Sequence, residues 1–213
     1  MVLLFSMVAH EYAHAAAAAR QGDDTASSLG RLTLNPLKHI DPIMTVLVPI
    51  GLWVYSHGTW TFGAAKPVPV DPSKFRQYRR GDIIVSLAGI ATNLALFLGC
   101  GLTFALVGLV GAAAPGAAAG AQRALWFGMS VNLVLAFFNL IPIPPLDGSH
   151  VLVHFLPPAA GVRYRQLFRF GLLPVILLSW LLPGVVDVLL WPAAQLMQAA
   201  HQLLQGLAIG ATA

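Results

Sequence analysis

The sequence predicts an all-α polytopic membrane protein, with about four spanning helices, a re-entrant segment and short membrane-associated β-strands. Three observations carry that expectation. Of 213 residues, 57% are hydrophobic and 9% are charged, whereas a soluble domain carries about 25% charged residues. Such a chain cannot cover a water-facing surface. Its apolar residues gather into runs near the roughly 20 residues that cross a bilayer as a helix. Finally, the 12 lysines and arginines fall in the short segments between those runs, as they do in membrane proteins.

The first expected span is Met1 to about Ala19, closed by Arg20, Gln21, Gly22, Asp23 and Asp24. A second runs from about Ile83 to Gly111, long enough to tilt or to extend past the bilayer. The small residues from Ala112 to Ala121 read as a plain loop. The third span covers about Ala124 to Ile141, stopped by Pro142, Pro144 and Pro145. The fourth covers about Phe170 to Trp191, with Pro174 and Pro183 expected to kink it. The tail from Pro192 is weakly amphipathic and suits the interface.

Between the first two spans, the apolar stretch Ile43–Tyr55 is only about 13 residues long, in the range of re-entrant or buried segments. Thr59 to Val70 then reads as extended chain. Alternating Pro67 and Pro69 bar a helix and a central strand, but Lys66–Val70 suits an edge strand. Arg31–Leu34 is a second candidate strand.

A net charge of +4 and a pI near 9.6 could suggest nucleic acid. The loop placement of the basic residues argues for the lipid bilayer instead, and no nucleic-acid partner is expected. Cys100 is the single cysteine, which excludes an internal disulfide and a cysteine-based metal site. The apolar start carries His10, Glu11 and His14 and no basic lead, so no cleavable signal peptide is read there.

The strongest chemical signal is His10-Glu11-Tyr12-Ala13-His14. Positions i and i+4 share one helix face, so two imidazoles can bind one metal, with Glu11 beside them as a general base. Here the motif lies inside a lipid-length helix, where ionisable groups are costly and usually functional. Glu11 is also the only glutamate. The bland alternative is a polar trio satisfied by neighbouring helices. Two histidines leave a catalytic zinc one protein ligand short. Among the other carboxylates and histidines Asp147 stands out, because Pro142, Pro144 and Pro145 leave irregular backbone near the apolar region and Gly148 permits a close approach. Asp147 serves equally well as a cap for a helix starting near Ser149, so the residues alone leave the third ligand open.

A membrane helix bearing His10-Glu11-Tyr12-Ala13-His14, followed by Asn139-Leu140-Ile141-Pro142-Ile143-Pro144-Pro145-Leu146-Asp147-Gly148, resembles the site-2 protease family of intramembrane zinc proteases. Gly30–Pro36, His39–Pro42 and Ala65–Val70 resemble its small bacterial branch, without PDZ or CBS domains. The resemblance covers about Leu4 to His150. It implies His10, His14 and Asp147 as ligands of one zinc ion and Glu11 as the catalytic base. It further implies that Asn139 binds the substrate backbone and that Lys66, Pro67 and Val68 help hold substrate as an added strand. The whole of 1–213 then forms one intramembrane metalloprotease domain, with a catalytic core over about 1–156 and a C-terminal helix and tail over about 157–213. Ala88-Gly89-Ile90-Ala91-Thr92-Asn93 departs from the family's common A-G-P-x-x-N at Ile90, and Met44 stands where glycine is common. Relatives often carry a helix upstream of the zinc helix, whereas Met1 begins inside it.

The implied function is hydrolysis of peptide bonds in membrane-spanning protein segments, at the plasma membrane. A silent helix-binding scaffold and a metal transporter are the rivals. An intact motif argues against the first, and a single ionisable cluster without internal repeats against the second. Asn93 and Asn132 read as interhelical hydrogen-bonding residues, and His150 and His154 as groups that lie at the interface or support the metal site from outside its ligand set. If Ile43–Tyr55 is re-entrant, eleven lysines and arginines share one side and Arg123 alone lies opposite. The positive-inside rule favours that arrangement over the eight-to-four split of a full crossing. It places the zinc site toward the cytosol.

Overall fold

The computed structural model describes residues 1–55, 57–58, 65–182 and 184–209, and of Met44 and Ala112 the backbone only. Helices account for nearly all regular structure, and no strand is present among the described residues. The chain divides into two compact units, one of Met1 with Leu3–Gly89 and one of Val2 with the chain from Ile90 onward.

In the first unit, helix α1 spans Val2–Gln21. Five consecutive alanines, Ala15 to Ala19, give it strong helix propensity and a thin profile that lets other segments approach closely. It stops at Gly22, whose φ of 110° is left-handed and whose N–H bonds back to Ala19. A β-carbon at Gly22 would also press on the Lys74 carbonyl. Ala17 and Ala18 pack against Phe75 and Val85, while Ala15 packs with Ala26, Val68 and Leu32. After a six-residue π-helical stretch at Pro42–Leu47, helix α2 spans Val48–Tyr55. It is apolar throughout, buries no residue in the unit, and is too short to cross a bilayer. Helix α3, Tyr78–Val110, begins in this unit and continues into the second.

Neither expected strand forms among the described residues. Arg31–Leu34 is irregular with a bend at Thr33, and 65–70 has no regular secondary structure; 59–64 lie outside the described residues. The reason is local. Pro67 and Pro69 have no N–H, and the two amides between Ala65 and Pro69 are already bound, Lys66 by the His39 carbonyl and Val68 by a side chain.

The second unit is built on the rest of α3, on α4 (Pro115–Leu140) and on α8 (Val185–Leu204). Between α4 and α8 come α5 (Asp147–Val153), α6 (Pro158–Arg165) and α7 (Leu173–Leu181). Phe104, Met129 and Leu204 centre its core. Asn93 donates to Asn132 at 2.8 Å, so the two residues expected to bond between helices do so with each other. The segment 112–121 is not a loop. A 3₁₀ turn covers Gly111–Ala113 and α4 already starts at Pro115, because proline suits a first helical position and the alanines that follow are the best helix formers. Pro174 likewise opens α7 instead of kinking a helix, and Pro192 lies inside α8. Pro183 lies outside the described residues.

Two helices, Tyr78–Val110 and Pro115–Leu140, are long and apolar enough to cross a membrane. A third span forms if Leu173–Leu181 and Val185–Leu207, bent by 98°, count as one. Helix α1 has 20 residues, but with His10, Glu11, His14 and Arg20 it lacks their apolarity.

Candidate metal centre and catalytic base

One turn of α1 separates His10 from His14, so their rings meet edge to face with centroids 4.6 Å apart. Both are buried. Their Nε2 atoms stand 2.9 Å apart. Two nitrogens at about 2.05 Å from a tetrahedral zinc would be about 3.3 Å apart, so the pair is nearly set for one ion. The Nδ1–H of His14 donates to the Val85 carbonyl at 2.7 Å. A carbonyl only accepts, so this bond fixes the tautomer and turns the Nε2 lone pair outward, which is how a backbone group orients a metal-binding imidazole.

Opposite the rings lies Gly89 of α3. A β-carbon there would sit 2.5 Å from His10 Cε1 and from His14 Nε2, and 2.6 Å from His10 Nε2. The imidazole pair therefore occupies space that only glycine leaves. The glycine was visible in the sequence, but its partner was not, because nothing local says which helix faces the histidines.

Glu11 lies on the adjacent flank of α1. Its Oε2 accepts the Val68 N–H at 2.7 Å. Val68 is buried with Ala15 and Ala26, which fixes the run 65–70 against the helix that bears the motif. Arg31 Nη2 donates to the carbonyls of Lys66 at 2.9 Å and Pro67 at 3.3 Å. This unit thus gathers His10, Glu11, His14, Lys66, Pro67 and Val68, together with Val85, Gly89 and Arg31, which the sequence reading had not assigned.

Asp23 anchors the far end of α1. Burial pushes its carboxyl up, but hydrogen bonds from the Thr25 hydroxyl and from the Asp71 and Thr25 amides outweigh that, helped by Lys74, and hold it below its ordinary value.

In the second unit, Asp147 is the first residue of α5, not its cap; Leu146 holds the cap position without a side-chain bond. A β-carbon on Gly148 would collide with the Leu140 carbonyl, so the glycine does permit the close approach that was expected. Tyr164 of α6 donates to the Pro142 carbonyl at 2.8 Å, tying down the proline loop. Asn139, in the last turn of α4, turns its Nδ2 back to the Leu135 carbonyl at 2.9 Å. His150 makes an edge contact with Phe168.

Residues 102–179 match the family described as "Peptidase family M50". The chain is 36% identical over 195 residues to "Putative zinc metalloprotease YwhC" of Bacillus subtilis, covering 90% of this chain and 83% of that one. The chain belongs to peptidase family M50. Further relatives of this M50 chain include "Putative zinc metalloprotease Rip2" of Mycolicibacterium smegmatis, 33% identical over 82% of this chain and 63% of that one. The Rip2 protein of Mycobacterium tuberculosis strain Erdman is 32% identical over 86% of this chain and 69% of its own length. No solved structure matches the chain. M50 is the site-2 protease family, so the resemblance drawn from the two motifs holds.

Proposed function

We propose that this M50 chain is an intramembrane zinc metalloprotease that hydrolyses peptide bonds in membrane-spanning protein segments. The observation that carries the reading is the convergence of the His10 and His14 Nε2 atoms, 2.9 Å apart, with the only glutamate of the chain between them in sequence. That donor pair suits zinc; the Gly89 gap accommodates both rings, and the Val85 hydrogen bond holds His14 in the required tautomer. Asp147 supplies the third ligand. A carboxylate completes the two-histidine set that leaves one position open for chemistry.

Zinc, when bound, supplies Lewis acidity that makes a water nucleophilic near neutral pH and polarises the scissile carbonyl. Glu11 takes the proton from the attacking water and delivers it to the leaving amide nitrogen. Asn139 holds the substrate backbone, and Lys66, Pro67 and Val68 present an extended surface to a substrate that has unwound from its helix. Unwinding is required because a helical substrate keeps its carbonyls in i to i−4 hydrogen bonds.

Four crossings follow: α1, α3, α4, and α7 with the start of α8, with Ile43–Tyr55 re-entrant. The eleven-to-one division of basic residues supports this topology and turns the zinc site to the cytosolic side of the plasma membrane. The test is cleavage of a peptide with one transmembrane helix, reconstituted with purified protein in liposomes. Cleavage should stop on chelation and return with zinc. Cleavage that survives complete removal of metal would exclude the reading.

A further inference from the structure

Pro67 and Pro69 leave Val68 as the one backbone donor between Lys66 and Val70. That donor points at Glu11 Oε2, 2.7 Å away. The segment carrying it is held on both sides. Lys66 N–H bonds to the carbonyl of His39, a fully buried residue whose Nε2–H donates to the Thr33 carbonyl at 2.8 Å. Arg31 clamps the Lys66 and Pro67 carbonyls through Nη2. Its Nε is buried without a partner among the described residues, and Nη2 carries the contact to both carbonyls.

We propose that Arg31 is a positioning residue for Glu11, acting through Lys66 and Pro67 to hold the Val68 N–H against one carboxylate oxygen. The proposal rests on Glu11 being the general base. A glutamate side chain has three rotatable bonds, and a base must stay within hydrogen-bond reach of the proton it takes. A charge-assisted bond to Oε2 restricts those rotations and leaves Oε1 for the reaction. Proline on either side of Val68 stiffens the donor, and Arg31 fixes its register against α1. The run 66–68 therefore serves the base as well as the substrate.

Because residues 67–69 contain a single amide, hydrogen exchange there reports Val68 alone. Arg31→Ala in the zinc-loaded full chain should speed exchange of this amide at least about tenfold, as should Glu11→Ala, while exchange within α4 stays unchanged. Zinc content should be retained in Arg31→Ala. Its kcat should fall about tenfold or more, with KM within twofold, and Arg31→Lys should recover most of the loss. Unchanged Val68 exchange in Arg31→Ala overturns the proposal. So does a rise in KM that accounts for the whole defect, which would make Arg31 a support for the substrate. Normal cleavage by Glu11→Gln would instead overturn the underlying reading of the base. That case is recognisable because Val68 exchange would still respond to Arg31→Ala.

Discussion

Replacing Gly89 by alanine adds one methyl group to the middle of α3. In a helix interior this change normally stabilises by about 0.5–1 kcal/mol. Here the new carbon would lie 2.5 Å from atoms of both His10 and His14. Comfortable heavy-atom separations are about 3.5–4.0 Å, so each ring would have to move by roughly 1 Å. Overpacking of that kind costs about 1–3 kcal/mol, enough to cancel the gain in propensity. The larger effect is expected on the metal, since ligand distances tolerate only about 0.2 Å of error. Zinc affinity should fall at least about 10–100-fold, and cleavage with it. Chelator competition followed by metal analysis measures the first, with thermal unfolding in detergent as a check on the fold. Gly99→Ala is the matched control, because nothing lies within 4 Å of a β-carbon there; it should keep its zinc and be neutral or slightly stabilised. Wild-type zinc affinity in Gly89→Ala would refute the packing of the histidine pair against α3.

Asp147→Ala and His14→Ala should each strip the zinc, because two ligands cannot hold it at physiological free metal; stoichiometric zinc in Asp147→Ala would remove that residue from the site. Mild acid should release the metal and the activity together, since zinc-bound imidazoles must be neutral. For Asp23, a folded-state pKa below its unfolded value of about 3.9 means a stability contribution present above that pH and lost as pH falls through the lower folded value. Asp23→Asn should therefore unfold more readily at pH 7, by about 1–3 kcal/mol, and show a flatter acid limb in detergent unfolding; an unchanged curve would contradict this. Single cysteines at Ser28, Ser73 and Ala117 in a Cys100→Ala background test the topology with an impermeant thiol reagent on intact cells. Only Ala117→Cys should react, and labelling of Ser73→Cys without Ser28→Cys would show that Ile43–Tyr55 crosses the bilayer.

What was legible in the sequence was what local pattern dictates. His10, Glu11 and His14 fall on one helix because their spacing is helical, and the proline cluster before Asp147 ends α4 where expected. Asn93 and Asn132 pair because a polar side chain in an apolar helix needs a partner. Local signals mislead where tertiary context overrides them. The small residues of 112–121 suggest a loop, although alanine with a leading proline favours a helix. Alternating prolines make Lys66–Val70 look like an edge strand, but the Val68 amide belongs to Glu11 instead. Gly89, Val85 and Arg31 were not assigned because their roles arise from contacts 71, 35 and 36 residues apart in sequence, or from space that a neighbouring ring fills.

The central claim is that Glu11 is the base of a zinc-dependent peptide hydrolysis, and Glu11→Gln tests it most directly. Glutamine keeps the size of the side chain and leaves the proposed ligands His10, His14 and Asp147 in the sequence, but it cannot take a proton from water. Metal content and cleavage of a helical membrane peptide should be measured on one purified preparation. Zinc should remain at wild-type stoichiometry while the rate falls by about 10²–10⁴. Cleavage at a near wild-type rate, with zinc present, would contradict the account.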